Sequence, residues 1–299
     1  MRACEVGKLA SPRVETGGTA ASFPSGQQIV PDRERNPDQG DDNDALLRVE
    51  DLAVRFGGVV ALEGLTFDIR TGRISALIGP NGAGKTTFFN VVSRLYEPTA
   101  GRIVYDGTID LLSVPAHRIA ALGITRTFQN LALVPGLSVL ENVMVGAHSR
   151  TGRVNFASAP FRVPPVMSLE RSTRRYAHQL LERLELDHLA DRPAAGLPYG
   201  TLKRLELARA LASRPRLLML DEPATGLTHA EVDELAELVK RIKEEFDLTL
   251  LLVEHHMAMV MSISDHVVVL DFGTKIAEGA PADVREDRRV IEAYLGSNE

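Results

Sequence analysis

The feature that most constrains this chain is the stretch GPNGAGKTT at residues 79–87, which has the form G-x-x-x-x-G-K-[ST]. The apolar run Ile74–Ile78 precedes it and predicts a buried strand, and the apolar spacing of residues 88–92 predicts a helix. This pattern between a strand and a helix is typical of a loop that binds phosphate. The alternative is a glycine-rich turn that matches by chance, and the flanking elements favour the phosphate loop.

The composition of the loop has a chemical reason. Glycine permits positive φ, so the glycines at 79, 82 and 84 let backbone N–H groups and a helix N-terminus face an anion. We expect Lys85 to supply a positive charge for the outer phosphates and Thr86 to bind Mg²⁺ through its hydroxyl. The predicted phosphate-binding residues are Gly79, Pro80, Asn81, Gly82, Ala83, Gly84, Lys85, Thr86 and Thr87.

A pair of acids follows the apolar run Leu217–Leu220, which predicts another buried strand. Asp221 and Glu222 stand at its carboxyl end, where open α/β sheets bind their ligands. Neighbouring side chains at a strand end point to opposite sides, so the two acids need not share a role. We expect Asp221 to hold Mg²⁺, directly or through water, and Glu222 to face the terminal phosphate and polarise a water.

Two more polar residues stand at predicted strand ends. Gln129 follows the short strand predicted from Ile124, and its amide could reach a metal or a water. His255 follows the strand predicted over residues 248–253 and could contact the same phosphate as Gln129 and Glu222. A surface position is the alternative for these histidines, and we expect it for His256 rather than for His255.

Two features precede or follow these clusters. Phe56 lies just before a glycine turn and upstream of the phosphate loop, where its ring could stack on a purine; core packing is the alternative, and the residues alone favour it. Pro198 and Gly200 open a predicted helix, so a second helix N-terminus presents free N–H groups.

Composition narrows the class of protein. With 299 residues, 44% of them hydrophobic, the chain has material for one large domain or two small ones. A net charge of −6 provides no basic surface, so we expect no nucleic-acid partner. The single cysteine, Cys4, excludes an internal disulfide framework, and no apolar stretch approaches the roughly 18 residues that span a bilayer. We therefore expect a soluble, cytoplasmic protein.

The chain divides into a tail and a folded domain. Residues 1–45 are rich in Gly, Ser, Pro, Asp and Arg without periodic apolar residues, so we expect a disordered acidic tail. The domain is expected over residues 46–299. Predicted helices interrupt its strand–helix alternation and indicate a helical subdomain inserted at about residues 131–212. The histidines of that part have no spacing suited to a metal: His148, His178 and His188.

The order of these motifs resembles the ATP-binding cassette of ABC transporters over residues 47–296. The five parts are the Walker A motif at 79–87, the Q-loop at Gln129, the signature segment at 197–201, the Walker B motif at 217–222 and the switch histidine at His255. Their fixed order is more specific than any single motif. Phe56 falls where the family places the aromatic residue that stacks on adenine, which favours that role over core packing.

Four segments look like the branched-chain amino acid importer subgroup of this family. They are Arg126–Gln129, the Leu-x-Tyr-Gly form of the signature, Val253–His255 and the ending at residues 290–296. The resemblance therefore implies import of branched-chain or related amino acids or amides.

The resemblance implies a fold, an activity and a set of site residues. The fold is the α/β P-loop NTPase fold, with a RecA-like core around a parallel sheet, a small antiparallel β part and an inserted α-helical subdomain. The activity is hydrolysis of ATP with Mg²⁺. The implied catalytic residues are Glu222, His255, Gln129 and Lys85. The implied metal ligands are Thr86, Gln129 and Asp221, and nucleotide contacts beyond the phosphate loop are expected from Phe56, Tyr199 and Gly200.

The resemblance also implies partners. In this family two cassettes close head to tail, so that each ATP lies between the phosphate loop of one and the signature segment of the other, and hydrolysis reopens them. We therefore expect a second cassette, in a homodimer or a heterodimer, and a membrane permease that docks near the Gln129 strand end and the helical insertion. A solute-binding protein is an indirect partner. The expected location is the cytoplasmic face of the cell membrane.

Three positions depart from the family pattern. Pro198 stands in place of a serine, Thr201 in place of a glutamine, and Thr228 in place of an aspartate or asparagine. These changes affect the signature side and leave the Walker A and B chemistry intact. The alternative functions are a non-transport ABC ATPase that acts on nucleic acid or ribosomes, a nucleotide-gated subunit of low turnover and the ATPase of a lipid exporter. The single cassette without a heptad arm and the net negative charge argue against the first. The presence of Glu222 and His255 argues against the second.

Overall fold

The computed structural model describes residues 44–127, 131–147 and 164–295. The predicted tail up to residue 43, Gln129 and His148 lie outside these ranges. What we expect of them stays a prediction.

Within these ranges, one sheet is antiparallel and contains four strands. They are β1 (Ala45–Phe56), β2 (Val59–Arg70), β4 (Ala100–Tyr105) and β5 (Ile109–Asp110), in the order β2-β1-β4-β5. β1 and β2 form a hairpin around Gly57, which takes a φ of 57°. Glycine suits such a two-residue loop because the turn that matches the strand twist needs positive φ.

The second sheet has six strands in the described part of the chain. They are β3 (Ile74–Ile78), β6 (Ile124–Arg126), β7 (Leu217–Asp221), β8 (Thr249–Val253), β9 (His266–Asp271) and β10 (Thr274–Gly279). Their order is β10-β9-β3-β8-β7-β6, and all neighbours are parallel except the edge strand β10. Every residue of β3, β7 and β8 is buried, since both faces of the sheet are covered, which explains their continuous apolar runs.

Helices connect these strands. Within the described residues the α-helices are α1 (Lys85–Val92), α2 (Val139–Gly146), α3 (Pro164–Arg183), α4 (Tyr199–Ala212), α5 (His229–Glu245), α6 (Met257–Ile263), α7 (Pro281–Glu286) and α8 (Arg288–Leu295). Helices α2, α3 and α4 pack on one another in the region of the predicted helical insertion. The predicted fold class, a parallel sheet with a smaller antiparallel sheet and helices, is confirmed.

The six-stranded sheet separates two hydrophobic cores. On β7, Leu218 and Leu220 face the core that contains the helices α2 to α6, whereas Leu217 and Met219 face the core that contains α1 and the antiparallel sheet. This alternation follows from the two-residue period of a strand. In the part of the chain that the structure describes, no helix combines the length and the apolarity needed to cross a bilayer.

One local prediction is wrong. The sequence predicts a helix at residues 117–122, and the structure has two 3₁₀ helices there, Ala116–Arg118 and Ala120–Leu122. Pro115 precedes the first and Gly123, with a φ of 86°, ends the second. Only seven residues lie between these two breakers, which suits single turns with i to i+3 hydrogen bonds better than an α-helix.

Candidate nucleotide site

The candidate residues meet at one edge of the six-stranded sheet. β8 lies between β3 and β7, with Leu77 level with Val253 and Val253 level with Asp221. Because these strands are parallel, the segments that follow them emerge side by side at the carboxyl edge, where ligands bind in open α/β sheets. The fold thus brings the phosphate loop, the acid pair and His255 to the same edge, as the sequence predicts.

Two glycines of the phosphate loop are sterically required. A Cβ at Gly79 would lie 2.1 Å from the carbonyl oxygen of Leu270, and a Cβ at Gly84 would lie 2.6 Å from that of Ala61. Both residues also have positive φ, 150° and 100°. Gly84 is the N-cap of α1 and offers no side chain to the first turn. The N–H groups at this helix start are therefore available to an anion.

Lys85 crosses the loop that precedes it. Its Nζ donates to the carbonyl oxygens of Gly79 and Pro80, at 2.7 and 2.9 Å. Burial lowers the pKa of Lys85, because the ammonium loses water, and the carboxylates of Glu222 and Asp221 oppose that shift. The amine is thus held at the phosphate loop within electrostatic reach of both acids.

Asp221 has one satisfied and one unsatisfied oxygen. The residue is 2% exposed, and Oδ2 accepts a hydrogen bond of 2.6 Å from Nη2 of Arg126. Oδ1 is buried and has no hydrogen-bond partner among the residues that the structure describes. Thr86, by contrast, is exposed at the start of α1. An orphaned carboxylate oxygen and a free hydroxyl are the hard oxygen donors that Mg²⁺ prefers, so these residues fit the predicted metal.

Arg126 is a residue of the site that the sequence pattern did not single out. Besides its ion pair with Asp221, Nη1 donates to Oδ1 of Asn90 at 2.7 Å, and the guanidinium lies 5.3 Å from the ring centre of Phe89. Asn90 and Phe89 belong to α1. Arg126 therefore ties the end of β7 to the helix that follows the phosphate loop.

Glu222 adopts an unusual backbone conformation. Its φ is 47°, in the left-handed region that costs energy for a residue with a side chain. Its N–H donates to the carbonyl oxygen of Val253 at 2.8 Å, and its Oε2 accepts from Oγ1 of Thr225 at 3.3 Å. Glu222 is half-buried beside Thr225, whereas Asp221 is buried beside Arg126, so the two acids have different surroundings.

The two histidines after β8 have the opposite exposure from the one we expected. The side chain of His255 is 60% exposed, whereas His256 is half-buried. His256 is the N-cap of α6, and its ring packs edge-to-face with that of His229, with 5.6 Å between the ring centres. The expectation of a surface position for His256 rather than for His255 is therefore wrong, since His256 packs against His229 at the start of α5 and the side chain of His255 stays exposed.

Phe56 does not belong to either core. It is 45% exposed, and its ring meets Tyr96 edge-on at 5.1 Å. Core packing, which the residues alone favoured, is therefore wrong. A ring face in this position can stack on another flat ring.

The signature segment lies at the start of α4. Pro198 is the N-cap and makes no side-chain cap bond, so the first N–H groups of the helix receive no capping oxygen from it. Tyr199 is partly exposed, and a Cβ at Gly200 would lie 3.0 Å from Oε1 of Glu231. The segment is therefore packed beside the start of α5 with Tyr199 at the surface.

Comparison with known protein families identifies two matching regions. Residues 62–225 match the family described as ABC transporter. Residues 274–299 match a second family, described as branched-chain amino acid ATP-binding cassette transporter. The first match contains the phosphate loop, the signature segment and the acid pair.

Curated relatives match along almost their whole length. A high-affinity branched-chain amino acid transport ATP-binding protein, BraF of Pseudomonas aeruginosa, is 43% identical over 84% of this chain and 98% of the relative. The protein of the same description from Escherichia coli, LivG, is 40% identical over the same shares. The probable LivG of Archaeoglobus fulgidus is 36% identical over 85% of this chain and 96% of the relative.

Solved structures have the same fold. A nucleotide-free ATP-binding cassette from an ABC transporter superimposes with a TM-score of 0.73 at 30% identity, over 85% of this chain and 100% of that chain. A cassette in its ADP conformation gives 0.72 at 30% identity, over 85% of this chain and 99% of that chain. The chain belongs to the ABC transporter family, as an ATP-hydrolysing ATP-binding cassette of the branched-chain amino acid type.

Proposed function

We propose that this chain is the ATPase subunit of a membrane importer for branched-chain amino acids or related amino acids and amides. The observation that carries the proposal is the 43% identity to BraF over 98% of that protein's length. The match of residues 274–299 to a branched-chain amino acid transporter family supports the same class of solute. The proposed location is the cytoplasmic face of the cell membrane.

In this proposal the phosphate loop and Phe56 bind ATP. The free N–H groups at the start of α1 and the ammonium of Lys85 face the phosphates, and the exposed ring of Phe56 stacks on adenine. Lys85 exchanges its bonds to the loop carbonyls for bonds to phosphate oxygens, which carry full negative charge and are stronger acceptors. Thr86 and Asp221 would hold Mg²⁺, which would neutralise phosphate charge.

Hydrolysis requires a water aligned with the terminal phosphate. Glu222 accepts a proton from that water, and the ring of His255, which the fold leaves exposed at the same edge, contacts the terminal phosphate. Lys85 stabilises the negative charge that the phosphate oxygens carry in the transition state. Gln129 keeps its predicted role beside the metal and the water.

A second cassette completes the site. The uncapped start of α4 and the exposed Tyr199 support a signature segment that acts on a nucleotide outside its own chain. We propose that Tyr199 and Gly200 contact the ATP bound by the phosphate loop of a second cassette.

A membrane permease docks on an apolar groove beside β6. The groove has a volume of about 720 Å³ and lies between the 3₁₀ helices before β6 and the helices α2 and α4. Its apolar lining residues include Leu95, Ile119 and Val145, of which Leu95 and Val145 are exposed. A groove lined by neighbouring exposed apolar side chains favours contact with another protein. Arg126 also lines the groove, so a docked segment would lie next to the ion-pair partner of Asp221.

The test is transport by the whole complex. The chain is purified with its permease, reconstituted into vesicles with the solute-binding protein, and supplied with ATP on the face that carries the cassette. We expect ATP-dependent uptake of leucine, isoleucine or valine, and none with Lys85→Met. Outward movement of labelled lipid, or ATP hydrolysis that none of a panel of amino acids and amides stimulates, would contradict the proposed solute class.

A further inference from the structure

Glu254 is a buried carboxylate that no role described above uses. It directly follows β8 and is 0% exposed. Its Oε1 accepts the N–H of Ala224 at 2.7 Å, and its Oε2 accepts the N–H groups of His255 and His256, both at 2.9 Å. All three partners are donors, which suits an ionised carboxylate because both of its oxygens only accept.

The three N–H groups belong to two different loops. Ala224 lies in the loop that follows β7, two residues after Glu222, and His255 and His256 lie in the turn between β8 and α6. One side chain thus bonds both segments that carry the proposed base and the proposed phosphate contact. A backbone hydrogen bond joins the same two segments, since the N–H of Glu222 donates to the carbonyl of Val253.

We propose that Glu254 is a positioning residue for ATP hydrolysis, which holds Glu222 and His255 in one fixed arrangement. The inference rests on the proposed roles of those two residues. Burying a carboxylate without hydrogen bonds costs free energy, so breaking any of the three bonds to Glu254 would destabilise the folded chain.

Glutamine is the sharpest substitution because it keeps the shape of the side chain and changes one acceptor into a donor. In Glu254→Gln the amide NH₂ must face either Ala224 or the pair of histidine N–H groups, and one loop loses its bond. A displacement of about 1 Å at a reacting group can cost about 10²-fold in rate, so we expect kcat to fall by about 10²-fold. The KM for ATP should stay within about twofold, since the phosphate loop is untouched.

A matched control separates this effect from general loss of stability. Glu278 is a carboxylate on β10 that is less buried than Glu254 and also has two side-chain partners, Lys275 and His266. Glu278→Gln makes the same chemical change away from the acid pair, and we expect kcat to stay within about twofold of wild type. The proposal is overturned if kcat falls equally in both variants and only as far as the fraction of folded protein falls. Glu254 would then have a structural role only.

A double-mutant cycle tests whether Glu254 acts through His255. ATP hydrolysis is measured for wild type, Glu254→Gln, His255→Ala and the double variant. We expect the two losses to be less than multiplicative, because removing the ring leaves less for Glu254 to position. Fully multiplicative losses would overturn the proposal. Wild-type rates for both His255→Ala and Glu222→Gln would instead overturn the proposed function, which keeps the two failures apart.

A measurement on the unaltered protein covers the case in which Glu254→Gln does not fold. Amide hydrogen exchange of the intact chain is followed by NMR at Ala224, His255 and His256. We expect all three N–H groups to be protected and to open together, since one carboxylate holds them. Exchange of Ala224 as fast as an exposed loop amide, with His255 still protected, would show that Glu254 does not join the two loops.

Discussion

At the scale of single residues, the ion pair between Arg126 and Asp221 is unusual because both side chains are almost fully buried. Taking a charge out of water costs several kcal/mol, and an ion pair repays that cost only while both partners are present. Oδ1 of Asp221 already lacks a hydrogen-bond partner among the described residues. Removal of Arg126 would take away the partner of Oδ2 as well. The pair therefore makes Asp221 dependent on Arg126 for both its charge balance and its orientation.

Arg126→Ala should lower the free energy of unfolding by about 3–5 kcal/mol, the usual effect of breaking a buried pair. Denaturant titration without nucleotide measures it. The control is Arg288→Ala, which breaks an exposed ion pair with Glu292 and should cost at most about 1 kcal/mol. Equal effects of the two substitutions would show that burial of the Arg126 pair has no energetic consequence.

The sequence pattern predicted Asp221 and Glu222 but could not predict Arg126 or Glu254. The acids follow a recognisable apolar strand, and their position at its end carries the inference. Arg126 meets Asp221 only because β6 pairs with β7 in the register that sets Arg126 level with Met219, two residues before Asp221 on the same face. Glu254 lies next to His255 in the sequence, but its proposed positioning role depends on a hydrogen bond from Ala224, which lies 30 residues away along the chain.

At the scale of elements, the start of α5 shows how one departure from the family pattern is accommodated. Thr228 is the N-cap, its hydroxyl accepts the N–H of Glu231, and the Glu231 carboxylate accepts the N–H of Thr228. A threonine followed three residues later by a glutamate predicts such a capping box from the sequence alone, and the structure confirms it. The hydrogen bonds of the box lower the pKa of Glu231.

Thr228→Ala should destabilise the protein by about 0.5–2 kcal/mol, because the first turn of α5 loses its cap. Thr228→Asp is the matched control, since aspartate is as good an N-cap as threonine and restores the residue type of the family. Thermal melts of the three proteins compare them. An equal loss in both variants would mean that the threonine methyl group, rather than the cap, stabilises this turn.

The contact between β4 and the 3₁₀ helix before β6 should make stability depend on pH. Tyr105 is buried and its hydroxyl donates to the carbonyl of Leu122 at 3.2 Å. Burial raises the pKa of Tyr105 to about 12. The unfolded phenol ionises near pH 10, so the stability due to the neutral buried phenol is complete below pH 10 and is lost as pH rises to about 12.

Tyr105→Phe should therefore flatten the alkaline limb of the stability curve. The wild type should lose about 2–3 kcal/mol more than the variant between pH 10 and 12. At neutral pH the variant should be less stable by about 1 kcal/mol, the value of a hydrogen bond. Urea unfolding at several pH values gives both quantities, and parallel curves for the two proteins above pH 10 would contradict the assignment.

The loops between elements limited what the sequence could predict about this fold. The buried strands were predicted because burial on both faces leaves a continuous apolar run. The long helices were predicted because burial of one stripe leaves a clear period. The segment around residues 116–122 was predicted as one helix because its composition allows it, and only the spacing of Pro115 and Gly123 divides it. The exposures of His255 and His256 depend on where α6 begins, which no period reveals.

At the scale of the whole molecule, the proposed closure of two cassettes depends on the signature segment. Pro198 supplies neither a hydroxyl nor an N–H to a nucleotide, and it leaves the start of α4 uncapped. What remains for an anion is the helix N-terminus with the N–H groups of the residues that follow. The signature of this chain should therefore bind the opposite nucleotide less tightly than a signature with serine.

Pro198→Ser in a Glu222→Gln background should lower the ATP concentration that drives dimerisation. One added hydrogen bond to a charged phosphate is worth roughly 1.5–3 kcal/mol, which corresponds to about 10–100-fold. Pro198→Ala controls for the loss of the proline ring, and we expect it to match the parent. Superimposable sedimentation curves for the serine and alanine variants would show that the backbone N–H groups suffice.

The most direct test of the proposed site is Glu222→Gln in the presence and absence of MgATP. The amide keeps the shape of the side chain and cannot take a proton, so ATP should still bind while hydrolysis slows by about 10²–10⁴-fold. With ATP bound and unhydrolysed, we expect the variant to sediment as a dimer with MgATP and as a monomer without it. Wild-type turnover, with no dimer at any ATP concentration, would contradict both the role of Glu222 and the closure of two cassettes around ATP.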